Sequence, residues 1–152
     1  MIGLLGALVV IQFIHPAKNA NAEVTAMDIT KMYAVPDSVQ LVLKKACADC
    51  HSNNTVYPWY NNIQPVAWWL NDHIEEGKEE LNLSEFGKRP LARQAKKLKK
   101  LAKEVEEGEM PMESYTWIHK DAKLTEAEKQ MLVNWARTLS DEIAAKAPQE
   151  VK

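Results

Sequence analysis

The residues of this chain best suited to chemistry are two cysteines and a histidine within five positions. Cys47-Ala48-Asp49-Cys50-His51 is a C-x-x-C-H motif that holds both cysteines of the chain and one of its four histidines. This pattern is the attachment sequence of a c-type haem. An offset of three residues places the two thiols on neighbouring faces of one helical turn, where they can add to the two vinyl groups of the porphyrin. The motif therefore predicts one covalently attached haem c, bound through Cys47 and Cys50, with His51 as the proximal iron ligand.

Two other uses of the cysteine pair follow from the motif alone. Cys47, Cys50, His51 and one distant histidine would supply four zinc ligands. A histidine directly after the second cysteine suits a tetrahedral site poorly, however, and the sequence has no second close-spaced pair of ligands. A disulfide between Cys47 and Cys50 would be stable outside the cytoplasm, but it would leave His51 without a role. We therefore favour haem over both.

The second axial ligand decides what the haem can do. Met110 is the first candidate, because the chain between His51 and Met110 is long enough to pass around the ring and return on its other side. Met110 stands before Pro111 in a loop, so it is not simply part of an apolar helix face. Met112 has a similar claim, and His73 or His119 would instead give a haem with two histidine ligands. For the imidazole of His51, the backbone carbonyls of Pro58 and Pro65 are the predicted hydrogen-bond acceptors.

The N-terminal residues 2–14 are almost entirely apolar. This stretch is shorter than a membrane span and suits the apolar region of a signal peptide. Ala20-Asn21-Ala22 fits an A-x-A cleavage site, with Glu23 as the first mature residue. No Lys or Arg precedes the apolar stretch, however, so a short uncleaved membrane anchor is the alternative.

Size and composition limit the remaining possibilities. The chain has 152 residues, enough for one domain, and a net charge of −2 gives no reason to expect nucleic acid binding. We divide the chain into a signal peptide or N-terminal membrane anchor over 1–22 and a c-type haem-binding domain over 23–152. The apolar stretch and the haem motif together predict a periplasmic protein, either soluble or anchored to the membrane through residues 2–14.

Helical periodicity predicts an all-α fold. Residues 52–65 are rich in Asn and Pro and are predicted to be irregular, and no stretch alternates as a strand would. Residues 88–103 carry only basic charges, which we interpret as a solvated helix face rather than a docking patch for a redox partner. Four helices are predicted. The first has Asp37 or Ser38 as its N-cap and carries the haem motif at its C-terminal end. The others run from about Val66 to Glu80, from Pro90 to Gly108, and from the Thr125 capping box to about Lys146.

Five segments form a familiar pattern: the C-x-x-C-H motif with Ser52-Asn53, Tyr57-Pro58-Trp59-Tyr60, Pro65-Val66, Gly108-Glu109-Met110-Pro111 and residues 124–135. Together they resemble a known family, the single-haem haem-binding domain proteins that Bacteroidetes-type bacteria export. The resemblance covers about residues 30–140 and also the N-terminal apolar segment that ends in Ile11-Gln12-Phe13-Ile14. It implies a mostly α-helical, cytochrome-c-like domain in which the Met-Pro loop supplies Met110 as the distal ligand. The family is defined by haem binding and not by a reaction.

These observations predict a monohaem c-type cytochrome that carries one electron between redox partner proteins outside the cytoplasm. An iron ligated by both His51 and Met110 has no free position for a substrate, so we expect an electron carrier rather than an enzyme. The alternative is a haem-based sensor or a peroxidase-like haem enzyme whose distal ligand is easily displaced.

Overall fold

The computed structural model describes residues 2–20 and 23–147, so Asn21 and Ala22 of the predicted cleavage site lie outside the described residues. Over these ranges the regular elements are helical and there is no β-strand, which confirms the all-α prediction. The α-helices are α1 (Ile2–Ile11), α2 (Ile29–Met32), α3 (Asp37–Ala46), α4 (Ala48–His51), α5 (Val66–Glu80), α6 (Leu91–Glu107), α7 (Glu113–Ile118) and α8 (Glu126–Lys146). Short 3₁₀ turns cover Trp59–Asn62, Phe86–Lys88 and Lys120–Ala122.

The two longest helices, α6 and α8, pack along each other and form the main wall of the core. Their facing stripes are apolar, as the helical spacing predicts. A buried hydrogen bond from the Ser140 hydroxyl to the carbonyl of Ala95 (2.8 Å) ties the two helices together. Helix α3 packs against α8 through its own apolar face. The buried residues of these faces are Val39, Val42 and Leu43 in α3, Leu98, Ala102 and Val105 in α6, and Leu132, Ala136 and Ile143 in α8.

Local sequence signals set most helix ends. Helix α5 has the predicted bounds, and α6 stops at Gly108, whose φ of +80° is the left-handed conformation that glycine adopts without strain. The capping box at the start of α8 is present: Thr125 accepts from the Glu128 N–H, while the Glu128 carboxylate accepts from the Thr125 N–H. The predicted starts of two helices, α3 and α6, are wrong. Helix α6 begins one residue after Pro90. Asp37 and Ser38 lie inside α3 rather than at its N-cap, which is Pro36 and makes no side-chain hydrogen bond.

The haem motif does not lie at the end of the first predicted helix, as the sequence led us to expect. Helix α3 ends at Ala46, and Cys47 leaves the helical conformation (φ −127°, ψ −37°) before α4 begins. The carbonyl of Cys47 accepts hydrogen bonds from the N–H groups of Cys50 (3.2 Å) and His51 (2.9 Å). The motif therefore forms a helical turn of its own, which Cys47 starts and His51 ends.

Helix α1 stands apart from the core, and most of its apolar side chains are exposed. Within the part of the chain that the structure describes, no helix is both long enough and apolar enough to cross a membrane. The loop at 52–65 is irregular apart from one 3₁₀ turn, as predicted.

Candidate haem site

Three adjoining cavities surround the haem motif, and we call them together the groove. Their volumes are about 130, 170 and 340 Å³. The first cavity is lined by Cys47, His51, Leu101, Val105 and Met110, among others. The second is lined by Cys47, Cys50, His51, His73, Met110, Met112 and Tyr115, among others. The third is lined by Cys50, Trp69, His73, Met112 and Tyr115, among others. The fold therefore brings the motif, both loop methionines and one rival histidine to the same place.

The imidazole of His51 is oriented by two backbone carbonyls at the end of α5. Its Nδ1 lies 2.7 Å from the oxygen of Gly77 and 2.9 Å from the oxygen of Leu81. Carbonyl oxygens only accept hydrogen bonds, so Nδ1 carries the proton and Nε2 keeps the lone pair that can bind a metal. The predicted acceptors Pro58 and Pro65 are wrong. Those prolines lie in the loop before α5, and it is α5 that packs against α4.

Close packing of α5 on the motif depends on Gly77. A Cβ atom at this position would lie 2.7 Å from the carbonyl oxygen of Cys50 and 3.1 Å from its Cβ. The absence of a side chain lets α5 approach α4 closely enough for its carbonyls to reach His51. Gly77 is not among the residues predicted from the sequence, although a glycine inside an otherwise good helix is a signal that a close contact can explain.

Both motif cysteines are free thiols in the structure rather than a disulfide. Burial, and next the neighbouring Cys50, raises the pKa of Cys47 to about 12, while burial and then Asp49 raise the pKa of Cys50 to about 11. Both sulfurs therefore carry their protons at neutral pH. Over residues 2–20 and 23–147, no group of three or more His, Cys, Asp and Glu side chains is arranged to hold a metal ion.

The two loop methionines, Met110 and Met112, line different cavities of the groove. Met110 is partly buried against the core and lines both cavities that His51 lines. Met112 lines only one of those two, and it also lines the third cavity. The N–H groups of Glu109 and Met110 both donate to the carbonyl of Glu104 (2.9 and 3.1 Å), which fixes the backbone just before the first sulfur.

The two rival histidines are placed differently from each other. The Nδ1 of His73 donates to the Trp69 carbonyl (2.8 Å), and its ring lines the second and third cavities. His119 is not among the residues that line the three cavities. Its ring stacks on Tyr115 (4.3 Å between centroids), and its Nε2 is hydrogen-bonded to the Tyr60 hydroxyl (3.1 Å). Only His73 therefore faces the groove.

A hydrogen bond joins the haem motif to the helix that follows the methionine loop. The Tyr115 hydroxyl donates to the Asp49 carboxylate (2.7 Å), whose other oxygen accepts from the Val56 N–H (3.0 Å). Burial, and next this bond, raises the pKa of Tyr115 well above its usual range. Tyr115 lies in α7, which begins directly after Met112, so the bond links the two sides of the groove. Sequence spacing gives no sign of this pairing.

We predict that Tyr115→Phe loosens the methionine loop as well as the fold. Losing a hydrogen bond to a charged group should lower the free energy of unfolding by about 1.5–3 kcal/mol. If Met110 is the distal ligand, as the sequence predicts, the methionine–iron absorption band of the ferric holoprotein should weaken at the same time. Urea denaturation and near-infrared spectra test both effects. Tyr33→Phe is the control, because its hydroxyl donates to Gln94, which is not among the residues lining the groove. If both variants lose stability but neither changes the band, Tyr115 does not position the loop.

A small all-α domain that gathers two thiols, an oriented imidazole and a thioether in one groove has the donor set of a haem protein. The haem-binding domain family matches residues 6–138, and the chain belongs to that family. The family assignment makes it a haem protein and confirms the coarse part of the resemblance. Comparison with curated proteins and with solved structures gives no significant match.

The residues of the groove fit a haem in their chemistry. Imidazole nitrogen and thioether sulfur are both common axial ligands of haem iron, and the thiols of Cys47 and Cys50 are available for thioether bonds. Leu101 and Val105 contribute apolar walls to the first cavity, which suits the flat apolar ring. Cys47, Cys50, His51 and Met110 are thus the residues that would hold the group.

Proposed function

We propose that this protein is a monohaem c-type cytochrome that carries one electron between redox partner proteins outside the cytoplasm. The observation that carries the proposal is that Met110 lines both cavities that His51 and Cys47 line. A histidine and a methionine from distant parts of the chain, beside the attachment cysteines, are the ligand set of a cytochrome c.

Each residue has a separate part in the proposal. Cys47 and Cys50 fix the group through thioether bonds, so the cofactor cannot dissociate between partners. The carbonyls of Gly77 and Leu81 hold the imidazole of His51 and make Nε2 its ligating atom. Met110 supplies a weak sulfur ligand that favours the reduced state and raises the reduction potential. A haem bound in this way supplies a one-electron change between ferric and ferrous iron.

The location is part of the same proposal. The apolar residues 2–14 resemble an export signal or anchor, and attachment of haem to such motifs takes place on the far side of the membrane. The domain is then periplasmic, and its partners are exported redox proteins. The Glu80 carboxylate accepts hydrogen bonds from Lys100 (2.8 Å) and Lys97 (3.0 Å), contacts that lower its pKa to about 2. This pairing within the molecule supports a solvated α6 face over a basic docking patch.

A sensor or peroxidase-like enzyme is the second candidate, and one observation favours it. His73 lines the groove, where an imidazole could transfer protons to or from a ligand bound at the iron. This function requires that the distal position be vacant or easily vacated. The two candidates therefore differ in whether Met110 stays bound.

Carbon monoxide binding separates the two functions. We predict that the ferrous holoprotein binds carbon monoxide slowly and incompletely, because the thioether of Met110 occupies the position that the gas needs. The visible spectrum, recorded as carbon monoxide is added to the reduced protein, provides the test. Fast and complete formation of the carbon monoxide adduct by the unmodified protein would favour the sensor or enzyme and would count against the electron carrier.

A further inference from the structure

We propose that residues 12–19 are a permanent part of the haem domain and that they hold α1 in the lipid bilayer beside the haem motif. This docked segment lies between α1 and the predicted cleavage site, so it would leave with α1 if the chain were cut after Ala22. The inference rests on the export part of the proposed function and not on electron transfer.

The first half of the docked segment is hydrogen-bonded to the start of α5. The Gln12 amide donates to the Gln64 carbonyl (3.2 Å), while its oxygen accepts from the Gln64 N–H (2.9 Å). The carbonyl of Ile14 accepts from the side-chain amide of Gln64 (2.6 Å) and from the indole of Trp68 (3.0 Å). Gln64 is buried, so these bonds satisfy polar groups that water does not reach freely.

Asn19 ends the docked segment and uses all its polar groups to bind the domain. Its side-chain amide donates to the Ser52 carbonyl (2.8 Å) and to the Thr55 hydroxyl (2.9 Å), and its side-chain oxygen accepts from Lys78 (3.1 Å). Its N–H donates to the Tyr57 hydroxyl (2.7 Å). Its carbonyl accepts from the Thr55 N–H (2.9 Å).

These bonds reach the immediate neighbours of the haem motif. Ser52 follows His51 directly, and the Thr55 hydroxyl donates to the carbonyl of Asp49 (2.6 Å). Cleavage after Ala22 would remove the partners of Ser52, Thr55 and Gln64 together. A segment that is discarded during export has no need to satisfy polar groups of the mature domain. The family match also begins before the docked segment, at residue 6.

Lipid is the environment that best suits the exposed apolar side chains of α1. The helix carries no charged residue, and its side chains are apolar apart from the two glycines. Leu4, Leu5 and Val9 are each more than half exposed, and Phe13 at the base of the helix is 82% exposed. The ten residues of the helix present about 15 Å of apolar surface. Lys18 is the first Lys or Arg after the helix, and its ammonium lies 5.6 Å from the centre of the Tyr57 ring. A cation near the membrane surface suits anionic headgroups.

Peptide mapping of the exported holoprotein tests retention of the docked segment. We expect mass spectrometry of the mature chain to recover peptides that contain residues 12–19. A mature chain that begins at Glu23 would overturn the proposal. The visible spectrum of the same sample reports separately on the haem, so a failure of the proposed function is distinguishable from cleavage.

Amide hydrogen exchange tests the docking itself. Asn19→Ala should speed exchange of the Thr55 N–H at least about tenfold, because its acceptor segment is released. Asn134→Ala is the control, since Asn134 is an exposed asparagine on α8. If Asn19→Ala does not fold, Gln12→Ala provides the same test at the Gln64 N–H. Unchanged protection in the folded variant would contradict the docking.

Vesicle binding tests the lipid contact. The full chain should co-sediment with vesicles of phosphatidylethanolamine and phosphatidylglycerol, and a Leu5→Glu and Val9→Glu double variant should not. Thr55 protection should be unchanged in that double variant, because α1 lies outside the docked contacts. If the full chain forms dimers in solution and ignores vesicles, a second copy covers α1 and the lipid part of the proposal is wrong.

Discussion

Met110→Ala is expected to abolish the methionine–iron band of the ferric holoprotein, lower its reduction potential and open the ferrous iron to rapid carbon monoxide binding. Met112→Ala is expected to leave all three properties close to those of the unmodified protein. Both variants remove a thioether from the same loop, on either side of Pro111, so each controls for the effect of the other on loop structure.

The reason for the difference lies in the groove. Met110 lines both cavities that His51 lines and is partly buried, whereas Met112 shares one cavity with His51 and extends into the third. Near-infrared spectra and a redox titration measure the effect. The reverse pattern would make Met112 the ligand. If neither variant changes the near-infrared band or the reduction potential, neither methionine is the distal ligand. His73, the rival histidine that faces the groove, is then the next candidate for that ligand.

Gly77→Ala should destabilise the holoprotein by about 1–3 kcal/mol, the usual cost of forcing a methyl group into a well-packed contact. The new Cβ would meet the carbonyl oxygen of Cys50 at 2.7 Å, and this neighbour is backbone that cannot rotate away. If α5 moved outward to relieve this contact, the Gly77 carbonyl would also move away from Nδ1 of His51. We therefore expect an altered spectrum in addition to the loss of stability, although alanine is the better helix former.

Urea denaturation followed by haem absorbance measures this effect, and Gly6→Ala is the matched control. Gly6 also lies within a helix, but a Cβ there meets no heavy atom within 4 Å. Gly6→Ala should therefore not lower stability, because the methyl group has free space and alanine is the better helix former. A Gly77→Ala variant as stable as the unmodified protein, with an unchanged spectrum, would show that α5 does not need its close approach to orient His51.

The helices could be predicted where local chemistry determines them. The bounds of α5, the left-handed stop at Gly108 and the Thr125 capping box depend on residues that are neighbours in sequence, and the structure agrees with all three. The interruption at Cys47 could not be predicted in this way. The apolar spacing of α3 gives no sign of it, and it appears only in the backbone angles of Cys47 and in the hydrogen bonds to its carbonyl.

The parts of the site that come from packing could not be predicted from the sequence. The hydrogen-bond acceptors for His51 belong to the helix that packs against the haem motif. The loop at 52–65 is irregular, so the sequence does not determine which helix that is. The Tyr115–Asp49 bond joins residues far apart in the chain, so no spacing rule applies to it. The position of Met110 in the groove was easier to predict than these two contacts, because Gly108 and Pro111 keep Met110 in a loop rather than in a helix.

The mass of the exported, purified polypeptide after denaturation in acid shows whether haem is covalently attached to Cys47 and Cys50. Two thioether bonds through Cys47 and Cys50 predict the mass of the chain plus one haem, and a Cys47→Ser and Cys50→Ser double variant should show the mass of the polypeptide alone. Haem that separates from the unmodified chain in acid, leaving the bare polypeptide mass, would contradict covalent attachment and the cytochrome built on it.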